Sequence, residues 1–395
     1  MSATPASFST GGDGVRERIR EFLAAHPPPS LRGLNRTERV AAQRRWSATL
    51  FDSGLAGPAW PRQYGGMDLT FAEQVAYHSE LAHRHVPGHP GNGPSIAGPT
   101  LIRFASAEQK DRFLPAMLRS DEVWAQGFSE PGAGSDLQSL RTRAVRDGDH
   151  YVVNGTKIWS TYAEDAEIMF ALVRTGPKDS GAAGISYLLI DLRSTGVTVT
   201  PVRDMTGESR FSQVFFDEVR VPVLNRIGEE NRGWPMARAT LGNERAVRAL
   251  SQASAYRRRI DEFAQLLTSM DGLGDPTVRD RLARCEMHVR ILMFNAVRVV
   301  ESLSHRGVPG PSSSIARLYH SLVEQEFYEL TVAALGQPGH VAAGPRAIQG
   351  GRFLKGLLHA RGATIGAGTA EIQRNTIAEQ ILGLPHDAGS APPQR

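Results

Sequence analysis

Two stretches of the sequence combine residue types suited to holding a flat or charged ligand. The first, SEPGAGSDL (129–137), contains two glycines, and the unhindered backbone N–H groups of such a loop can approach a phosphate or a ring edge closely. The second, YVVNGTKIWST (151–161), ends in the aromatic Trp159 followed by two hydroxyl donors, Ser160 and Thr161. An aromatic face beside small hydroxyl groups suits a heteroaromatic cofactor.

Each stretch taken alone leaves a structural alternative open. SEPGAGSDL is not a Walker loop, which carries a lysine after its last glycine, and it is not a G-x-G-x-x-G fingerprint. It follows an apparent strand, VWAQGF, and also fits an ordinary surface turn. Trp159 also fits packing at a domain interface. The two stretches together favour a cofactor site.

The surrounding sequence divides into three zones that would position these stretches. The zones are a helical domain at residues 1–120, a β domain at 121–225 and a second helical domain at 226–385, followed by a disordered tail at 386–395. In the first zone, Ser106 with Gln109 three residues later predicts a helix N-terminus.

The middle zone changes to the two-residue period of β-strands. Its strand candidates, separated by Gly, Asp and Pro, are EIMFALVRTG, GISYLLIDL, GVTVTPV and SQVFFDEVRVP. Asn154-Gly155 lies between two β-rich runs and predicts a hairpin turn at that point.

The last zone contains an apolar stripe at alternating steps of three and four residues from Leu282 to Leu303. This spacing predicts a long helix packed in an antiparallel bundle. Cys285 lies on the stripe, so we expect a buried core thiol rather than a reactive one. As the single cysteine, it also excludes an internal disulfide.

The composition is that of an ordinary globular protein. The chain has 395 residues, of which 41% are hydrophobic and 22% charged, and a formal net charge of +4. Its arginines are scattered, so we expect no nucleic-acid binding despite a pI of about 9.4. The first residues lack the basic and apolar regions of a signal peptide, and no apolar run has the length that spans a bilayer, so we expect neither a signal peptide nor a membrane span. We therefore expect a cytoplasmic protein without membrane contact.

A short histidine-rich segment is the nearest approach to a metal-binding pattern. His83, His85 and His89 fall in a loop rich in Pro and Gly, with no accompanying carboxylate or thiol motif. We therefore expect no metal site.

The order of several segments resembles the acyl-CoA dehydrogenase family of flavoproteins, and in style its actinobacterial members. The segments are WPRQYGG (60–66), FSEPGAGSDLQSLRTRAVRDGDHYVVNGTKIWST (128–161), FFDEVRVP (215–222), LGNERA (241–246) and IGAGTAEIQRNTIAEQILGLP (365–385). The resemblance implies an acyl-CoA dehydrogenase-like fold: an N-terminal α domain, a middle β domain built as a barrel or sandwich, a C-terminal four-helix bundle, and bound FAD.

The resemblance also implies which residues contact the flavin. They are Gln126, Phe128, Ser129, Gly134, Ser135, Trp159, Ser160, Thr161, Thr369 and Glu371. Within this set, Trp159 would cover one face of the flavin, and Ser160 and Thr161 would form hydrogen bonds near its N5 and O4 atoms. The glycines of the first stretch would then serve close backbone approach.

The implied reaction is α,β-desaturation of an acyl thioester, in which a carboxylate removes the α-proton. Many family members carry this base just before the Gly-Thr of the C-terminal motif, where this chain has Ala367. Glu244, in LGNERA, occupies the position that a minority of the family uses, and it is our candidate base. The alternative is a solvated helical Glu244 paired with Arg248.

The resemblance further implies a set of residues near the thioester. They are Ser135, Arg245, Ala367 and Gly368. Arg245 would lie near the phosphopantetheine or nucleotide part, and the backbone N–H of Ala367 would help polarise the thioester carbonyl. The sequence does not separate a CoA thioester from a carrier-protein thioester.

Implied partners include an electron-transferring flavoprotein. The chain lacks the Arg-x-Gln-Phe-Gly segment that in the family normally helps hold the adenosine half of FAD across a subunit interface, and YRRRIDEFAQ occupies that region. A homodimer, a homotetramer and a heteromer with a related chain all stay open. Two alternatives to the dehydrogenase are a flavin oxidase or monooxygenase of the same fold, and a non-catalytic partner subunit.

Overall fold

The residues that the computed structural model describes are 12–84, 86–306 and 310–385. Within them, the side chains of residues 244–251 and of several other helix residues lie outside the description. The chain separates into two compact units, Met1–Asn243 and Glu244–Arg395, with the division inside a long helix. The predicted domain boundaries at residues 120 and 225 stay a prediction.

Helices precede the sheet in the first unit. They are α1 (Asp13–Ala25), α2 (Arg36–Asp52), α3 (Phe71–His83), α4 (Gly98–Phe104) and α5 (Ala107–Arg119). The predicted start of α5 is confirmed. Ser106 Oγ accepts a hydrogen bond from the backbone N–H of Gln109 at 3.2 Å, and Gln109 Oε1 accepts one from the N–H of Ser106 at 3.0 Å.

The strands of the middle region form one sheet. They are β1 (Trp124–Gly127), β2 (Arg143–Asp147), β3 (His150–Thr161), β4 (Ile168–Arg174), β5 (Ile185–Asp191), β6 (Val197–Val202), β7 (Phe211–Pro222) and β8 (Arg226–Ile227). Their order is β6-β7-β3-β2-β4-β5-β8, and β1 pairs in parallel with β4. The four strand candidates correspond to β4, β5, β6 and β7.

Strand β4 is buried on both faces, which places the sheet between two cores. Phe170 and Leu172 pack in one core with helix residues such as Leu114. Met169 and Ala171, which alternate with them, pack in a second core built from the other strands. A continuous apolar run such as IMFALV is therefore the sequence signature of a strand covered on both sides.

The predicted hairpin turn at Asn154-Gly155 is wrong. Both residues lie inside β3, where the pairing with β7 shifts register between Val153 and Gly155. Gly155 adopts φ 147° at this irregularity. The turn lies earlier, because Asp147 pairs with His150 across a two-residue loop that begins with a glycine.

The second unit is helical. Its elements are the C-terminal part of α6 (Gly233–Ser269), then α7 (Pro276–Arg306), α8 (Ser312–Leu335), α9 (Arg352–Ala360) and α10 (Ala370–Gln380). The stripe predicted from Leu282 onward lies on α7, and Cys285, Val289 and Leu292 are buried. Burial raises the pKa of the Cys285 thiol to about 12, which confirms a core thiol.

Candidate active site

The two stretches singled out in the sequence meet in the first unit. SEPGAGSDL begins two residues after β1, and Trp159 stands near the end of β3. The backbone N–H of Ile158 donates to the carbonyl oxygen of Ser129 at 3.0 Å. This bond joins the loop after β1 to the end of β3, so the fold brings the glycine loop and the aromatic residue to one place.

A β-bulge turns Trp159 toward solvent. Between Lys157 and Ser160, two residues of β3 oppose a single residue of β7. Strict alternation would place Trp159 on the buried face with Lys157, whereas the extra residue leaves the indole 55% exposed. The backbone of Trp159 has φ 64°, a left-handed conformation that costs roughly 1–2 kcal/mol in a residue with a side chain. Strain at an exposed aromatic residue indicates a functional position.

The two hydroxyls after Trp159 have different environments. Ser160 is buried, and its Oγ has no hydrogen-bond partner among the described residues. Thr161 is half-buried, so it is the more accessible hydroxyl at this strand end. The exposed indole beside Thr161 fits a flat heteroaromatic group with a polar edge.

The glycine loop leaves room for close approach of such a group. A Cβ atom added at Gly132 or Gly134 would meet no atom within 4 Å. Gly134 and Ser135 are both exposed. Backbone N–H groups in an open, side-chain-free stretch of this kind suit a flavin ring edge or a pyrophosphate.

Two residues predicted to contact the cofactor, one in β1 and one directly after it, have side chains that are partly or fully buried. Gln126 is half-buried in β1. The ring of Phe128 lies in the core, edge-on to Phe170 and Tyr187 at 5.8 and 6.0 Å between ring centroids. Any contact from Phe128 to a cofactor must therefore come from its backbone.

A buried ion pair that sequence reasoning missed supports the loop. Lys157 is fully buried, and its Nζ donates to Glu130 Oε1 at 2.7 Å and to the carbonyl of Phe128 at 3.1 Å. Glu130 in turn accepts the backbone N–H groups of Arg141 and Thr142 at 2.6 and 2.8 Å. The available signal was a lysine in an apolar strand together with a glutamate opening the glycine loop.

The pair is ionised at neutral pH. Burial lowers the pKa of Lys157 to about 8, against the opposing effect of Glu130. For Glu130, burial alone would raise the pKa, but the Lys157 ammonium and the hydrogen bonds from Thr142 and Arg141 together bring it below its ordinary value. The loop after β1 therefore rests on two opposite charges that pair with each other and form hydrogen bonds with neighbouring backbone groups.

The C-terminal motif forms a turn in the second unit. Ala367 has φ 53° and Gly368 has φ 88°, so two consecutive residues are left-handed. Thr369 is the N-cap of α10, and its Oγ1 accepts the backbone N–H of Ile372 at 3.2 Å. Glu371 is exposed in the first helical turn, where its own backbone N–H and the Thr369 side chain lower its pKa.

The candidate base and its neighbour lie outside the described side chains. Glu244 and Arg245 belong to α6, but nothing is described beyond their backbone. Their roles stay a prediction.

The histidine segment is structural where it is described. The side chain of His83 and residue His85 lie outside the described part of the chain. His89 Nε2 lies within hydrogen-bond distance of Ser120 Oγ, at 2.6 Å, and of the carbonyl oxygen of Met117, at 2.9 Å. Burial lowers the pKa of His89 to about 4. No group of three metal-ligating side chains occurs among the described residues. None of the described helices is both long and apolar enough to cross a membrane.

Comparison with known proteins matches the whole architecture. Sequence models of the acyl-CoA dehydrogenase N-terminal, middle and C-terminal domains match residues 13–121, 125–219 and 231–382. The acyl-CoA dehydrogenase IpdE1 of Mycobacterium tuberculosis is 35% identical over 381 residues, which cover 94% of this chain and 98% of that protein. The chain belongs to the acyl-CoA dehydrogenase family.

Solved structures of the family agree with the fold. One chain of the ChsE4-ChsE5 complex from Mycobacterium tuberculosis superposes with a TM-score of 0.80 at 31% identity, covering 97% of this chain and 100% of that one. The Tcur3481-Tcur3483 steroid ACAD gives a TM-score of 0.83 at 27% identity, covering 95% and 97%. The predicted fold class is confirmed, and so are the resemblance to actinobacterial members and the assignment as an oxidoreductase.

One departure from the expected acyl-CoA dehydrogenase pattern has a structural counterpart. In the YRRRIDEFAQ region, Tyr256, Ile260 and Phe263 are buried in the core of the second unit with Phe327 of α8. The inward positions of this segment therefore pack in the core of the second unit.

Proposed function

We propose that this acyl-CoA dehydrogenase desaturates an acyl thioester between its α and β carbons, with FAD as cofactor and Glu244 as the base. FAD, when bound, supplies the acceptor for the hydride that leaves the β-carbon. The chain would contribute Trp159 against one face of the ring, Thr161 at its polar edge, and the carboxylate of Glu244 to take the α-proton.

One observation carries this proposal: an exposed, left-handed Trp159 beside an accessible hydroxyl and an open glycine loop. Backbone strain of this kind is typical of functional sites, and an exposed indole can stack against a flat ligand. A loop that could accommodate a Cβ atom at Gly134 without contact leaves space for the edge of that partner. The residues of the first unit therefore fit FAD.

The choice of base depends on the sequence. Residue 367 is an alanine and has no carboxylate, while Glu244 occupies the second position used in the family. Residue 367 would still act through its backbone N–H, which can polarise the thioester carbonyl without a side chain. Polarising the carbonyl makes the α-proton more acidic, and so helps Glu244 remove it.

The test is an anaerobic visible spectrum of the purified protein, before and after addition of a panel of acyl-CoA thioesters. Bleaching of bound flavin by one thioester is the expected result. Glu244→Gln should then lower the bleaching rate by about 10²–10⁴-fold with flavin retained, because one general base contributes on that order. The exposed Glu229 gives a matched control, Glu229→Gln.

Other outcomes would redirect the assignment. Full activity in Glu244→Gln overturns the assignment of Glu244 as the base. Rapid oxygen consumption tied to turnover indicates the oxidase or monooxygenase instead. A yellow protein that no acyl-CoA bleaches shifts the substrate to a carrier-protein thioester. A protein that stays colourless after FAD is added indicates a partner subunit.

We further propose that the working enzyme passes electrons to an electron-transferring flavoprotein and assembles as an oligomer. A heteromer with a related chain is supported by the two-protein complexes among its structural relatives, ChsE4-ChsE5 and Tcur3481-Tcur3483. Co-expression with a related chain, followed by measurement of mass and FAD content, tests this assembly against a homodimer or homotetramer.

A further inference from the structure

Arg317 of α8 holds the turn that precedes α10. Its guanidinium donates hydrogen bonds to the carbonyl oxygens of Ala363 and Gly366. These are charge-assisted hydrogen bonds, and the planar guanidinium fixes the direction of both. Arg317 has no part in the reaction described above, yet it organises the backbone next to Ala367.

Gln373 of α10 holds the next part of the same turn. Its side chain is only 2% exposed, and Nε2 lies 3.3 Å from the carbonyl oxygen of Gly368 and 3.5 Å from that of Ala367. Both bonds are long, so each is weaker than those of Arg317. The fit is close, because a Cβ atom added at Gly368 would lie 2.3 Å from Gln373 Nε2.

The direction of the carbonyls determines the direction of the N–H groups. In a trans peptide, the N–H of one residue points opposite to the carbonyl of the residue before it. With the Gly366 carbonyl on Arg317, the N–H of Ala367 points away from the guanidinium. With the Ala367 and Gly368 carbonyls on Gln373, the N–H groups of Gly368 and Thr369 point away from the amide.

These N–H groups are available to a ligand. The backbone N–H groups of Ala367, Gly368 and Thr369 make no hydrogen bond to any described residue. The guanidinium on the Gly366 carbonyl also polarises that peptide, which strengthens the N–H of Ala367 as a donor. Backbone N–H donors of this kind can stabilise a developing oxyanion.

We propose that Arg317 and Gln373 are positioning residues that fix residues 366–369 so that their N–H groups stabilise the negative charge developing on the thioester oxygen. The inference rests on the proposed desaturation of an acyl thioester. Arg317 and Gln373 act through the backbone carbonyls that they contact. Arg317 carries more of the effect, because its hydrogen bonds are charge-assisted.

The kinetic test uses Arg317→Met and Gln373→Leu. Removing an oxyanion donor outright costs about 10²–10³ in kcat, and misdirecting one should cost about tenfold, with KM little changed. Arg279 provides a matched control, because it also donates to two carbonyls, those of Leu273 and Gly274, at a turn away from this motif. Arg279→Met should keep wild-type kcat.

Gln380 provides the second control, since it is an exposed glutamine on the same helix α10. Gln380→Leu should keep the wild-type kcat and KM. If Gln373→Leu does not fold, Arg317→Met and the milder Arg317→Lys still test the proposal. Equal kcat in Arg317→Met and Arg279→Met overturns it.

A spectroscopic readout separates positioning from general damage. The infrared band of a ¹³C-labelled thioester carbonyl, bound to enzyme whose flavin has been reduced to prevent turnover, reports how strongly the carbonyl is polarised. The band should lie below its solution frequency in the wild type and move back toward it in Arg317→Met and Gln373→Leu. An unchanged band in both variants overturns the inference while the proposed function stands. A wild type that neither binds nor desaturates any thioester overturns the proposed function first.

Discussion

Two segments that carry predicted site residues, one in each unit, are held in different ways. The loop after β1, in the first unit, rests on the buried ion pair of Lys157 and Glu130, and both charges can titrate. The turn before α10, in the second unit, is held by Arg317 and Gln373 through backbone carbonyls. Arginine stays protonated, and glutamine carries no charge.

The difference separates two kinds of support. Breaking a buried ion pair leaves one charge without a partner, so its loss appears as lost stability. Releasing a carbonyl of a half-exposed turn leaves an oxygen that water can reach, so its loss appears mainly as lost geometry. Variants at Lys157 should therefore unfold more easily, whereas variants at Arg317 should fold and react slowly.

Lys157→Met should give the largest effect. It leaves the Glu130 carboxylate buried without its cation, which costs about 3–5 kcal/mol in the free energy of unfolding. Urea unfolding at pH 7 measures it. The exposed Lys178 supplies the control, and Lys178→Met should change stability by less than about 0.5 kcal/mol.

The double variant Lys157→Met/Glu130→Gln sharpens this prediction. The amide that replaces the Glu130 carboxylate is neutral and can still accept a backbone N–H through its oxygen, so part of the lost stability should return. A double variant no more stable than Lys157→Met would show that the side chains support the loop by packing rather than by charge.

Lowering the pH should weaken the support of the loop after β1 and leave the support of the turn before α10 unchanged. The pKa of Glu130 is lower in the native protein than its ordinary value of 4.5. Its contribution to stability is therefore complete above the unfolded-state pKa and is lost as pH falls through the lower folded-state value. Urea midpoints between pH 6 and pH 3 should fall less steeply in Glu130→Gln than in the wild type. In Arg317→Met, the urea midpoint should fall with pH as steeply as in the wild type.

At alkaline pH, the titration of Lys157 should raise the free energy of unfolding. Its pKa of about 8 in the native protein lies below the ordinary 10.5, so the unfolded chain binds more protons between these values. The free energy of unfolding should therefore gain a contribution from Lys157 as pH rises from 8 to 10.5. The comparison is with Lys157→Met, whose curve should lack this gain. Parallel curves would contradict a buried ammonium.

The bulge at Trp159 should give a smaller effect on stability. Trp159→Ala and Trp159→Gly remove the same aromatic surface, but only glycine relieves the left-handed backbone. The glycine variant should therefore be more stable by about 1 kcal/mol. Both should bind FAD more weakly than the wild type, by equilibrium titration. Equal stability of the two would show that the bulge carries no strain.

Gly134→Ala should have the smallest effect on folding. A Cβ atom there meets open space, so stability should change by less than about 0.5 kcal/mol. FAD affinity should fall all the same if the flavin lies against this backbone. Unchanged affinity would mean that the loop is an ordinary surface turn.

Much of the architecture could be predicted from the sequence because periodicity and capping are local properties. Strands β4 and β5 are continuous apolar runs, and the stripe on α7 follows the helical period. The hairpin at Asn154-Gly155 failed for a non-local reason. Pairing with β7 keeps β3 continuous through the glycine, and a bulge absorbs the irregularity.

The supports of the candidate site could not be predicted because they join distant residues. Glu130 and Lys157 are 27 positions apart, and Arg317 and Gly366 are 49 apart. No spacing rule connects such pairs. The clearest local sign was a charged residue in an apolar strand, which is costly unless a partner is nearby. That sign predicts a partner for Lys157 without saying which residue provides it.

The register shift beside Trp159 affects how this strand end could be moved to another protein. The triplet Trp-Ser-Thr has its exposure only because β7 supplies one residue where β3 supplies two. Grafted onto a regular strand, the same triplet would turn its indole to the opposite face. The transplantable module is therefore the paired segment of β3 and β7, and a deletion of one residue at 158 should undo the arrangement as thoroughly as replacing the tryptophan.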